Sequence, residues 1–375
     1  MIGLVLSGGG ARGAYQAGVL SAVAEIATAN NVKNPFKIYT GVSAGSINAC
    51  FLAAHADEFA RGVEKLRDLW SGITADQVFS TDFLTLGKMG LKWIGDLSLG
   101  KFSGLESHKA LLDTTPLNDL LKNNLDFSRI QKMIETGDLY AAAITALEYK
   151  TSTAITFVEA NKKAKMWKRS RRYSEFTQLA SEHVMASSAI PLLFPPAYAS
   201  NRYFGDGCVR NLVPCSAAIH LGAEKIFVVS VRTQNATAED QKALEDPNPP
   251  SLARVLNIVL NAVLLDGVEV DMERMKRIND FVDQVPASLH EKLNFKKVNY
   301  LWVSPNEDLG LLAANMASHL PRIVRYILKG LGPVEDASEI ISYLLFDPSY
   351  CKKLIDFGYQ DAMAKKDEIK LFLTT

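Results

Sequence analysis

The first 55 residues constrain the fold more than any other feature of this chain. Residues 2–6 form a short apolar run that ends in glycines, the pattern of a buried strand. Residues 14–29 carry Val19, Leu20, Val23 and Ile26 on one side and read as a helix. Residues 36–40 read as a second strand, and the small apolar stretch 46–54 as a buried helix. Strand, glycine loop, helix, strand, tight turn and helix, in that order, argue for an α/β fold with a parallel sheet. Further strands are expected at 139–147, 154–159, 225–231 and 298–303, the last two apolar enough for the sheet centre. Residues 57–135 read as mainly helix and loop, and helical patterns dominate at 251–281, 310–330, 335–346 and 350–372.

Both tight connections carry glycine motifs. The first, G-G-G-A-R-G at 8–13, also matches G-x-G-x-x-G through Gly8, Gly10 and Gly13. A dinucleotide site needs a carboxylate about 20 positions further on, at the end of the next strand. Here that strand ends in Thr40 and Gly41, and no P-loop lysine is present. The alternative is an oxyanion hole, in which glycines bring backbone N–H groups close to a reacting carbonyl. Arg12 then either holds the loop or meets an anionic substrate group. A purely structural turn is the third reading.

The second motif is G-V-S-A-G at 41–45, a G-x-S-x-G pattern that places Ser43 on a strand-to-helix turn. The helix dipole there favours developing negative charge. A Ser-Asp-His triad of the α/β-hydrolase kind fits poorly, because only about two strands precede Ser43. The histidines, His55, His108, His183, His220, His290 and His319, do not lie in glycine-rich loops after strands. A carboxylate can serve as base instead. Asp206 stands between Gly205 and Gly207, where the backbone can approach another strand. Taken alone, this is also an ordinary Asp-Gly turn.

Composition removes several function classes. Lys plus Arg equals Asp plus Glu at 41 each, so no global field attracts nucleic acid, and none is expected as a partner. Cys50, Cys208, Cys215 and Cys351 form no C-x-x-C pair, which points to reduced thiols and away from zinc or disulfides. No secretory signal and no window of about 18 apolar residues is seen. A cytoplasmic protein, at most peripheral at a membrane, is expected.

Taken together, the motifs resemble the patatin-like phospholipases. The matching pieces are G-G-G-A-R-G at 8–13, G-V-S-A-G at 41–45, L-D-T-T-P-L at 112–117, A-S-S-A-I-P at 186–191, L-F-P-P at 193–196 and D-G at 206–207. They cover roughly the first 235 residues. The resemblance implies a three-layer α/β/α fold with a central, mainly parallel sheet, plus a helical C-terminal region. It implies a catalytic domain over 1–235, with 236–375 packed on or extending it. It implies a Ser-Asp dyad of Ser43 and Asp206, with an oxyanion hole from Gly8, Gly9, Gly10 and Ala44, supported by Arg12. No cofactor or metal is required, and the substrate would be a phospholipid or lysophospholipid. The family often has D-G-G or D-G-A where Cys208 here follows Gly207. The rival class is a non-catalytic lipid- or nucleotide-binding protein that uses the Gly8–Gly13 loop.

Two segments are candidates for membrane contact. Residues 161–173 hold seven lysines and arginines with Trp167 and Tyr173 between them. Residues 83–104 interleave glycines with Trp93, Ile94 and other apolar residues, as a lid or acyl entrance would. The segment 255–265, V-L-N-I-V-L-N-A-V-L-L, reads as a buried helix. Residues 234–250 read as a polar surface loop.

Overall fold

A computed structural model describes residues 1–80, 110–211, 213–233, 249–264, 267–286, 289 and 296–375. Its strands are β1 (Ile2–Leu6), β2 (Ile38–Val42), β3 (Ala141–Glu148), β4 (Thr153–Ala160), β5 (Lys168–Arg169), β6 (Arg172–Phe176), β7 (Ala197–Ala199), β8 (Arg202–Asp206), β9 (Lys225–Val229) and β10 (Asn299–Val303). They join in one sheet in the order β10-β9-β1-β2-β3-β4-β6-β5, with β8 also on β3 and β7 on β8. The pairs from β10 to β3 are all parallel. The inner strands β9, β1, β2 and β3 are largely buried, as strands covered by helices on both faces must be, while the edge strand β10 is only partly buried. The principal helices are α1 (Gly13–Ala29), α2 (Ala44–Ala53), α3 (Phe59–Gly72), α4 (Thr115–Asn124), α5 (Ser181–Ser187), α6 (Leu252–Leu264), α7 (Gly267–Gln284), α8 (Ser338–Leu344) and α9 (Pro348–Ala364). The architecture is the expected α/β one, with a mixed, mainly parallel central sheet and a helical C-terminal region.

That C-terminal region is woven into the sheet. The strand expected at 298–303 is β10, paired in register with β9. Helix α9 lies along α1, where Tyr15 donates to Asp361 at 3.0 Å and Tyr359 to Glu25 at 2.6 Å.

The expectation of a buried helix at 255–265 fails. Leu252, Val255, Ile258 and Val259 are 43–57% exposed, while Asn257 is buried. The reason is a hydrogen-bonding need elsewhere. Asn257 Oδ1 accepts from the N–H groups of Glu339 and Ile340, at 3.1 and 3.3 Å, and so serves the first turn of α8. Turning the asparagine inward turns Val255, Ile258 and Val259 out, while Leu256, Leu260 and Val263 stay against the core.

The basic stretch 161–173 becomes the β5–β6 hairpin at the sheet edge. Its lysines are exposed, but Trp167 stacks on His220 with ring centroids 5.0 Å apart, and the Tyr173 hydroxyl accepts from Arg202 at 3.0 Å. The stretch 83–104 and nearly all of 234–250 lie outside the described residues. No helix among the described residues is long and apolar enough to cross a membrane.

Candidate active site

The register of the sheet brings Ser43 and Asp206 together. One edge of β3 is filled by β4 along its whole length. The other edge is shared: β2 pairs with it as far as Val42↔Thr145, and β8 takes over at Asp206↔Ala146. Strand β2 runs parallel to β3 and β8 antiparallel, so their C-terminal ends meet on adjacent rungs. The chain must leave the sheet sharply at both points. At Asp206 it does so through Gly207, where a Cβ would come within 2.0 Å of the Thr145 carbonyl. At Val42 it does so through Ser43, whose φ of 53° and ψ of −129° are costly for a residue with a side chain.

Three groups hold that strained turn. The Ser43 N–H donates to Ser187 Oγ at 3.0 Å, and Ser187 Oγ–H donates to the Thr145 carbonyl at 2.7 Å. The Ser43 carbonyl accepts from the Ser46 N–H and hydroxyl, at 2.8 and 2.6 Å. Ser187 lies in the A-S-S-A-I-P stretch noted in the sequence, where nothing local marks it as the anchor of a turn 144 residues away.

Burial pushes the Asp206 carboxyl up to about 6, and the neighbouring Ser43 hydroxyl and the Cys208 N–H draw it part of the way back. Asp206 Oδ1 accepts from that N–H at 2.8 Å, while Oδ2 is buried with no hydrogen bond closed. No hydrogen bond joins Ser43 to the carboxyl in this state, as is common before substrate arrives. Glu159 is pushed higher, to about 7, also by burial, but one of its oxygens accepts from the Leu179 N–H at 2.7 Å, and it stands near the buried Cys50 thiol rather than Ser43. Geometry, not acidity, singles out Asp206.

The glycine loop lies across the same corner. A Cβ at Gly8 would stand 3.0 Å from the Ser43 Cβ and 2.3 Å from Cys208 Sγ. Gly10 and Ala44 line one cavity with Ser43. Ala44 opens α2, where first-turn N–H groups lack intrahelical acceptors. Gly9 sits against the Val231 side chain. Gly10 has a φ of 58°, and a Cβ there would come within 2.3 Å of the Tyr343 carbonyl. Beneath the loop, Gln16 donates to the Ser7 carbonyl at 2.8 Å, Asn48 donates to Gln16 at 2.9 Å, and the Trp70 indole donates to Asn48 at 2.7 Å.

Arg12, expected to support the loop or meet an anion, is buried and committed to protein partners. Its Nε donates to Ser342 Oγ at 2.7 Å, Nη1 donates to the Val231 carbonyl at 3.3 Å, and Nη2 is bound to the Glu339 carboxylate. The guanidinium also stands over the Tyr343 ring, 5.5 Å from its centroid. The sequence reading missed all three α8 residues, because a charged residue on a remote helix carries no mark of its partner.

The described histidines are engaged elsewhere. His55 bonds the Phe51 carbonyl, His183 contacts Ala180 and Ser200, His220 stacks on Trp167, and His319 pairs with Asp347. His108 and His290 lie outside the described residues. The cavity at Ser43 is almost wholly apolar and includes Ile47, Phe51, Leu121, Leu125 and Phe194. No cluster of metal-ligating side chains is found among the described residues, and the four cysteines are free and buried.

In overall structure the chain is similar to VipD from Legionella pneumophila, at 12% identity and a TM-score of 0.41, covering 98% of this chain and 66% of that one. It is also similar to human GIVD cytosolic phospholipase A2 in complex with methyl gamma-linolenyl fluorophosphonate, at 10% identity and a TM-score of 0.37, covering 100% of this chain and 59% of that one. The chain thus spans roughly two thirds or less of those two proteins. No curated protein gives a significant sequence match. The model of the patatin-like phospholipase family matches residues 4–219, more than half of the chain and every motif residue above. The chain belongs to the patatin-like phospholipase family, a family of carboxylic ester hydrolases.

Proposed function

We propose that this protein releases fatty acid from glycerophospholipid or lysophospholipid esters through an acyl-enzyme on Ser43, with Asp206 as the base. The observation that carries the reading is the meeting of β2 and β8 on one edge of β3. It sets a strained serine beside a carboxylate that has an oxygen without a partner.

In the first half-reaction, Ser43 Oγ attacks the ester carbonyl as its proton passes to Asp206. The carbonyl oxygen takes up negative charge beside the Gly8–Gly10 loop and the Ala44 N–H, which are fixed before the reaction starts. The C–O bond to the alcohol breaks, and the alcohol leaves with the proton from Asp206. In the second half, water attacks the acyl-enzyme, its proton passes to Asp206, and the acid leaves as Ser43 is reprotonated. The apolar cavity at Ser43 suits the acyl chain, since alkyl surface gains about 25 cal/mol per Å² on leaving water. Contact with the lipid surface through the exposed lysines of 161–173 fits the same reading.

The test is fatty-acid release from mixed phospholipid vesicles by wild type, Ser43→Ala and Asp206→Asn, with fluorophosphonate labelling of each. The wild type is expected to release acid and to be labelled at Ser43. Ser43→Ala loses both, and Asp206→Asn loses about 10²- to 10⁴-fold in rate, the range a positioned general base supplies. Full activity in Asp206→Asn would remove Asp206 as the base.

A further inference from the structure

We infer that a wall built by Phe51 and Leu125 ends the acyl channel and sets the length of chain the enzyme prefers. This rests on the reading of Ser43 as the nucleophile.

The channel runs along one face of α2. Ser43 caps that helix, and Ala44, Ile47 and Phe51 line the cavity at the spacing of residues that share a helix face. At 1.5 Å of rise per residue, Phe51 lies about 12 Å beyond Ser43 along the axis. With carbon–carbon bonds of about 1.5 Å, an extended chain advances about 1.25 Å per carbon, so the reach from Ser43 to Phe51 matches about ten carbons.

Beyond that point the surroundings change character. Phe51 stacks on His55, with centroids 5.0 Å apart and planes 13° from parallel. His55 Nδ1–H donates to the Phe51 carbonyl at 2.9 Å, and its Nε2 lies 3.3 Å from Lys65 Nζ. Asn124 and Leu125 line both the apolar cavity and a second, open groove on the other side. That groove is walled by His55, Glu58, Arg61, Lys65, Lys122 and Arg129. A methyl end that passed the wall would enter water among charges and gain no further burial. Each methylene inside the channel strengthens binding about two- to fourfold, and each one past the wall adds nothing.

The test uses the full chain and alkyl fluorophosphonates of graded length, with the rate of Ser43 labelling followed by mass spectrometry. The rate is expected to climb to about ten carbons and then level or fall. Ile47→Phe, halfway along the channel, should move the break to shorter chains. Phe51→Ala and Leu125→Ala should move it to longer ones. Opposite shifts in two variants cannot arise from loss of folded protein, which lowers all lengths alike. A break that stays put in every variant, or a rate that climbs unbroken to sixteen carbons, overturns the wall while Ser43 stands as nucleophile. Labelling at no length overturns both.

Discussion

The two halves of the site are held in different ways. The Ser43 turn is held from nearby in the fold, by Ser46, by Ser187 and by the Thr145 carbonyl of the adjacent strand. All of these lie within the stretch that matches the family. The glycine loop is held from outside it as well. Arg12 reaches Glu339 and Ser342, and the Tyr343 carbonyl backs Gly10, all on α8. Helix α8 is itself fixed by Asn257 of α6. The Ser43 turn is thus anchored by the motif-bearing region, whereas the glycine loop is completed by the last third of the chain.

The largest effect is expected at Glu339. Arg12 is 2% exposed, and removing its counter-ion leaves a buried charge unpaired, at a cost of about 3–5 kcal/mol. Calorimetry of Glu339→Ala should therefore show a marked drop in unfolding temperature, together with loss of fatty-acid release. An unchanged unfolding temperature would mean that the loop is held without α8. The elbow should be less sensitive. Ser187→Ala leaves the Ser43 N–H and the Thr145 carbonyl without their partner, and a buried orphan group costs about 1–3 kcal/mol. Release should fall mainly through kcat, since the acyl channel is untouched. A rise in KM at constant kcat would show that Ser187 shapes the binding site instead.

The difference between the halves is also a difference in what could be read beforehand. Strands β1, β2, β9 and β10 were legible because buried parallel strands are apolar runs bounded by turns. The turns at Ser43 and Asp206 were legible because sharp exits from a sheet demand glycines close by. The strands β5 to β8 were not expected, as they carry charged residues or span only three positions and so form no apolar run. Glu339, Ser342 and Tyr343 were hidden for another reason: a salt bridge across 327 positions depends on tertiary placement that no local pattern encodes. The same cause misled the reading of α6. V-L-N-I-V-L-N looks like a core helix until one knows that Asn257 must face inward to serve α8.

The sharpest form of the comparison is a pH profile. In the proposed mechanism Asp206 acts in its ionised form, and burial has raised its pKa to about 6. The rate of release should be flat above that value and fall about tenfold per unit below it. Stability should run the other way. Between pH 4 and 6, roughly, the folded state holds a proton on Asp206 that the unfolded chain has lost. This group's contribution is therefore fully present below the unfolded value of 3.8 and is lost as pH rises through about 6. Asp206→Asn should remove that slope as well as the activity. The causes of the shift are burial and neighbours at 43 and 208, with nothing from α8 among them. In Glu339→Gln, then, the rate should drop while the midpoint stays near 6. A midpoint that moves with Glu339 would mean that the loop and the elbow are one electrostatic unit, and that the C-terminal third tunes Asp206 as well as holding the glycine loop.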